Sequence, residues 1–155
     1  MPDTTKDPLL GARFQEAFIL AWDLHRFQTR KSTDVPYLSH LMSVSSLVLE
    51  DDGDEDEAIA ALLHDALEDC ADRITAKEIE ARFGPRVREI VQACTDTPPD
   101  FKGGEKPRYL KDEYINRIAT GTMPMRVSLA DKVHNARSIL RDHRKEGEKR
   151  AEETP

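Results

Sequence analysis

Apolar residues recur at helical spacing along most of the chain, and no stretch of useful length alternates with the period of two that a strand requires. Phe14, Ala17, Phe18, Ala21, Trp22 and His25 fall on one stripe and predict a first helix near Gly11 to Thr29. Arg30 to Val35 is polar and reads as a loop. Pro36 opens a second helix, where its missing N–H costs little. That helix carries Leu38, Leu41, Met42, Ser45 and Leu49 and stops at Asp51-Asp52-Gly53. Asp54 with Glu57 forms a capping-box signal for a third helix running through Cys70. Ala58, Ile59, Ala61, Leu62 and Leu63 are almost continuously apolar, which places this helix at the centre of the molecule.

Thr75 with Glu78 repeats the capping signal ahead of Ile79 and Phe83, and Gly84-Pro85 ends one helix and opens the next. Val87, Ile90, Val91 and Cys94 then face inward. Thr97 to Pro107 holds Pro98, Pro99, Gly103 and Gly104 and predicts a mobile loop. Leu110, Tyr114, Ile115 and Ile118 follow at helical spacing, and Val127, Leu129, Ala130, Val133 and Ala136 mark a last helix. Beyond Arg141 the residues are almost all charged. The pattern predicts an all-α, compact bundle of about six to seven helices. One domain would span residues 11–141, with charged, flexible termini at residues 1–10 and 142–155.

Composition refines this picture. A chain of 155 residues suits one core, which can bury about two-thirds of the unfolded surface without disulfide staples. Apolar residues make up 38% and charged residues 34%, compatible with helices that have broad solvated faces. The net charge of −7 argues against a nucleic-acid-binding surface. It leaves room for a small anionic ligand, because a metal and a few local cations override the average field. Cys70 and Cys94 stand apart from any Cys-x-x-Cys arrangement and read as reduced thiols of a cytoplasmic protein. Met1 to Leu10 has no apolar stretch of a signal peptide, and no apolar run approaches the roughly 20 residues of a membrane span.

The strongest chemical signal is Leu62-Leu63-His64-Asp65-Ala66-Leu67-Glu68-Asp69, where an imidazole and a carboxylate emerge from a greasy helix. Buried ionisable groups are costly unless paired, hydrogen-bonded or bound to metal. Glu68 and Asp69 follow one helical turn later, at i+4 from His64 and Asp65. His40 in the first turn of an apolar helix would alone be read as a satisfied core histidine. Asp131 would alone be read as paired with Lys132 or Arg137. Taken together, the order His40, His64-Asp65, Asp131 supplies two imidazoles and two carboxylates from three helices. A mixed nitrogen and oxygen set of this kind suits a divalent ion with a six-fold preference, such as Mn²⁺, Mg²⁺ or Fe²⁺, better than a closed zinc site.

That order resembles the HD phosphohydrolase superfamily. The surrounding words narrow the resemblance: Arg30-Lys31-Ser32 ahead of Pro36-Tyr37, Ala60 to Asp65 with Glu68-Asp69, Phe83-Gly84 with Val87, and Leu129 to Arg137. They are similar to the hydrolase domain of RelA/SpoT proteins, and most similar to the small alarmone hydrolases. The resemblance covers roughly Phe14 to Leu140.

It implies manganese-dependent removal of the 3′-pyrophosphate from (p)ppGpp, giving GDP or GTP and pyrophosphate. His40, His64, Asp65 and Asp131 match the metal ligands, and Glu68 and Asp69 the acidic pair that positions and activates water. Arg30, Lys31 and Ser32 match a loop that contacts the base, and Asn135 and Ser138 match nucleoside-side positions. Lys102, Lys106, Arg108 and Lys111 are candidate phosphate-binding cations, with Lys111 and Tyr114 the favoured pair. Two other readings stand beside it: hydrolysis of another nucleotide, such as a dNTP, a nucleoside monophosphate or NADPH, by the same site chemistry, and a regulatory nucleotide-binding module with residual or lost catalysis.

Overall fold

The computed structural model describes residues 9–95, 108–120 and 125–152. Among them the architecture is all-α: α1 (Ala12–His25), α2 (Leu38–Glu50), α3 (Glu55–Leu63), α4 (Ala66–Asp69), α5 (Ala76–Phe83), α6 (Pro85–Cys94), α7 (Arg108–Ala119) and α8 (Met125–Glu152). α3 is the hub, packed against α1, α2, α6 and α8. Ala58 to Leu63 are all buried, as expected of a helix apolar on every side. Each of Ile59, Leu62 and Leu63, fully withdrawn from water, contributes about 1.5–3 kcal/mol.

Local signals set the helix starts. Asp54 accepts from the Glu57 N–H while the Glu57 side chain accepts from the Asp54 N–H, and Thr75 and Glu78 repeat the reciprocal cap at α5. Gly84, at φ 95°, separates α5 from α6, and Pro85 occupies the first turn of α6. Gly53 closes the end of α2, its N–H bonded to the Val48 carbonyl at 2.8 Å. A Cβ there would lie 2.5 Å from that same carbonyl oxygen, so only glycine fits.

Three expectations need correction. The predicted third helix is two, because the chain turns at His64-Asp65 between α3 and α4. Hence eight helical segments appear among the described residues. Trp22, Leu129 and Val133 are 47%, 50% and 43% exposed, and α8 turns Val127, Ala130 and Ser138 inward instead. α8 also continues past Arg141 to Glu152, where a charged flexible tail is expected from composition. Long charged residues are good helix formers and favour its extension. Residues 1–8 and the predicted loop, with Lys102 and Lys106, lie outside the described residues. Cys70 and Cys94 are free thiols, and burial, the largest effect at both, pushes each up to about 11. No helix among the described residues is long and apolar enough to cross a membrane.

Candidate metal centre

The turn at His64-Asp65 is what presents the site. Asp65 sits at φ −96°, ψ −3°, and its carbonyl accepts from the N–H groups of Glu68 and Asp69 at 3.2 and 2.8 Å. The short α4 therefore starts immediately after the two side chains that matter. His40 enters from the first turn of α2 and Asp131 from α8. One ligand atom each from His40, His64 and Asp65 lies within 4.8 Å of the other two. Asp131 Oδ1 is 3.2 Å from His40 Nε2 and 3.7 Å from His64 Nε2. Asp65 Oδ2 is 2.9 Å from His64 Nε2 and 3.7 Å from His40 Nε2.

α8 reaches this place because Arg126 clamps its start to α3. The guanidinium donates to both carboxylate oxygens of Glu57 at 2.7 and 2.8 Å, and to Asp51 at 3.1 Å. Nη1 serves both Glu57 oxygens while Nε serves Asp51, so one guanidinium ties the start of α8 to two carboxylates by charge-assisted hydrogen bonds. Ser45 on α2 donates to the buried Ala58 carbonyl at 3.0 Å, which ties α2 to α3 beside the site.

The donor set fits a divalent cation. His64 Nδ1–H donates to the Ala61 carbonyl at 2.8 Å, which leaves the Nε2 lone pair of the neutral ring facing the cluster. That atom is buried and makes no hydrogen bond of acceptable geometry, although Asp65 lies within ion-pair distance. An orphaned buried nitrogen is expensive unless something else uses it. Adjacent ligands of a six-coordinate ion of manganese or magnesium size stand about 3 Å apart, and the nitrogen–oxygen separations here bracket that value.

Electrostatics agree. Burial works to raise the Asp65 carboxyl, but the His64 imidazole beside it, with the Tyr37 hydroxyl, outweighs it and holds it at about 2. Burial opposes ionisation of Asp131 as well, and the imidazoles of His40 and His64 beside it drive it far below the usual carboxylate range. For His64, burial disfavours the cation, while Asp65 and Asp131 together hold its proton affinity well above normal. A divalent ion would take the place of that proton, since metal and proton compete for one lone pair.

A second ring of groups orients the first. Tyr37 donates to Asp65 Oδ2 at 2.6 Å, and burial followed by the Asp65 charge raises the phenol, so it remains a donor. Asn135 Nδ2 donates to Asp131 Oδ1 at 2.7 Å, and its Oδ1 accepts from Arg30 at 2.7 Å. Gln28 Nε2 donates to Asp69 at 2.8 Å. His134 Nδ1 meets His40 Nδ1 at 2.7 Å. Burial, then the charges of His40, Arg30 and Arg141, push His134 down to about 4. Tyr37, Gln28 and His134 were not singled out from the sequence. Only Tyr37 and His134, lying inside the quoted motifs, carried any signal.

The other candidates land as follows. Arg30 sits at the edge of the cluster, its guanidinium 5.7 Å from the Tyr37 ring centre. The loop that bears it is closed by a bridge between Thr29 and Pro36. Lys31 and Ser32 stand exposed at its tip, Ser32 with a left-handed φ of 59°. Glu68 is half-buried and Asp69 exposed on α4. Ser138 is buried on α8, two turns beyond Asp131. Arg108 is exposed at the start of α7. Lys111 and Tyr114 lie on α7, with their side chains outside the described residues.

The HD domain family matches residues 17–155, nearly the whole chain and every residue of the cluster. The chain belongs to the HD domain family. Its His-Asp pair, at the break between α3 and α4, is the one that sequence and geometry single out independently. The bifunctional (p)ppGpp synthase/hydrolase SpoT of Escherichia coli is 32% identical over 130 residues, covering 82% of this chain and 18% of SpoT. The chain thus spans under a fifth of the length of this and similar long relatives. The guanosine-3′,5′-bis(diphosphate) 3′-pyrophosphohydrolase MESH1 of Xenopus tropicalis is 37% identical over 136 residues, covering 84% of this chain and 72% of that protein. A solved structure described as a metazoan ortholog of SpoT that hydrolyses ppGpp superposes with a TM-score of 0.71 at 33% identity. It covers 87% of this chain and 73% of its own.

Proposed function

We propose that this protein is a divalent-metal-dependent phosphohydrolase that removes the 3′-pyrophosphate of (p)ppGpp, giving GDP or GTP and pyrophosphate, with Mn²⁺ as its metal. The observation that carries the reading is the convergence of His40, Asp65 and Asp131 around the buried Nε2 of His64, with the two carboxylates 2.9 and 3.7 Å from it. The names of the MESH1 and SpoT relatives support the substrate.

His40, His64, Asp65 and Asp131 would hold the ion. When bound, it neutralises phosphoryl charge and acidifies water. Water adds to the phosphorus that bears the 3′ oxygen, the bond from that phosphorus to the 3′ oxygen breaks, and the leaving oxygen takes up a proton. Glu68, one turn beyond the ligands, accepts the proton from water, and Asp69, held by Gln28, orients it. Arg30 contacts the guanine base: a planar guanidinium can stack where an ammonium cannot. Lys31 and Ser32 border the base, Asn135 and Ser138 the nucleoside, and Lys111 with Tyr114 the phosphates. Positioning and charge neutralisation supply most of the catalysis of phosphoryl transfer.

The test is incubation of the purified protein with Mn²⁺ and ppGpp, with chromatographic separation of the products. GDP plus pyrophosphate is expected, and Asp65→Ala and Glu68→Ala should each lose at least about 100-fold in kcat. Turnover of dNTPs or NADPH with ppGpp untouched would move the substrate assignment. Tight ppGpp binding without products would reduce the protein to a nucleotide-binding module.

A further inference from the structure

His134 is outside the ligand quartet, yet its ring meets the far side of the His40 ring. His40 Nε2 faces Asp131 and Asp65 at 3.2 and 3.7 Å, so Nε2 is the atom available to a cation. Its Nδ1 points the opposite way and meets His134 Nδ1 at 2.7 Å. Two imidazole nitrogens at that distance share one proton between them, and there are two ways to place it. If His134 donates, His40 is protonated on Nε2 and hydrogen-bonds Asp131, which blocks the lone pair. If His40 donates, its Nε2 lone pair is free and His134 is the acceptor, protonated on its own Nε2.

We propose that His134 is the positioning residue that selects the second arrangement, accepting from His40 Nδ1–H so that His40 Nε2 is presented to the metal. This rests on the metal centre proposed above. The surroundings support it. His40 is fully buried with its ring edge toward His64 at 5.2 Å and tilted against His134 at 4.9 Å, so few other groups can reach Nδ1. His134 lies one turn from Asp131 on the same face of α8, so one helix carries both a carboxylate ligand and the acceptor for a ligand on α2. His64 shows the complementary solution, in which the Ala61 carbonyl fixes the tautomer from its own helix. Groups of this kind behind a ligating histidine commonly change metal affinity by about 10–100-fold.

The experiment titrates Mn²⁺ into the full chain, its His134→Leu variant and its His134→Asn variant, with free Mn²⁺ counted by electron paramagnetic resonance. Asparagine keeps an acceptor oxygen close to the place of Nδ1, and leucine removes it. The expected result is a Kd weakened about 10–100-fold in His134→Leu and restored to within a few-fold in His134→Asn. The melting temperatures of the metal-free proteins should stay close together. Ring ¹⁵N shifts of the parent loaded with diamagnetic Mg²⁺ should show His134 Nδ1 as a bare acceptor. Unchanged affinity in His134→Leu, equal weakening in both variants, or a protonated His134 Nδ1 overturns the assignment and leaves the metal centre standing. A parent that takes up no Mn²⁺ overturns both.

Discussion

Tyr37 lies between Arg30 and Asp65. Its ring stacks on His25 at 5.3 Å, lies 5.7 Å from the Arg30 guanidinium, and sends its hydroxyl to Asp65. Removing only the hydroxyl separates these contacts. Tyr37→Phe keeps the stack but takes a donor from a carboxylate whose ionised form that donor favours. We expect Mn²⁺ affinity to fall about tenfold with thermal stability changed by less than about 1 kcal/mol, measured by titration and by melting. A large loss of stability with unchanged affinity would make Tyr37 a packing residue only. Asn135 offers a parallel: it holds Asp131 with one atom and Arg30 with the other, which joins the Arg30 guanidinium to a carboxylate of the cluster.

At the scale of elements, the site depends on how α3 begins as much as on how it ends. Asp54 caps the N-terminus of α3, and Arg86 from α6 bonds the same carboxylate at 2.6 Å. Burial works to raise the Asp54 carboxyl, but the Glu57 N–H and the Arg86 guanidinium together hold it below the usual range. A carboxyl depressed in the folded state stabilises it above the unfolded pKa, and that stability is lost as pH falls through the folded value. Asp54→Ala should therefore cost about 1 kcal/mol at pH 7, a difference that shrinks below about pH 4. Denaturant melts at both pH values check it, and a pH-independent cost would point to packing instead of the cap. The reciprocal use of Glu57 by the cap and by Arg126 means that the start of α3 also sets where α8 begins.

For the whole molecule, the four proposed ligands come from the α2, α3/α4 and α8 segments, so a bound ion would tie distant parts of the chain together. Anything that binds the folded state alone stabilises it by mass action. Mn²⁺ at about 100 times its Kd should add about 2.7 kcal/mol, or about 5–10 °C in melting temperature for a domain of this size. Chelation should reverse the shift, and Asp131→Ala should abolish it. A shift that persists in Asp131→Ala would place the ion elsewhere. α8 turns Val127 and Ala130 inward beside Asp131 but leaves Leu129, Ile139 and Leu140 exposed.

Much of this was determined by the sequence alone. Capping boxes at Asp54 and Thr75, the Gly84-Pro85 junction and the greasy run at Ala58–Leu63 act within a few residues, so their elements could be read directly. The order His40, His64-Asp65, Asp131 was legible because ionisable groups inside apolar periodicity need a partner. Tertiary structure decided what depends on atoms far apart in the chain. The turn at His64-Asp65 interrupts a pattern that is helical on both sides, and burial around the cluster, not propensity, selects it. The exposure of Trp22 and Leu129 reflects which face of each helix its neighbours cover. The pairings of His134 with His40 and of Gln28 with Asp69 span 94 and 41 residues. Spacing along a chain says nothing about such contacts until packing brings the helices together.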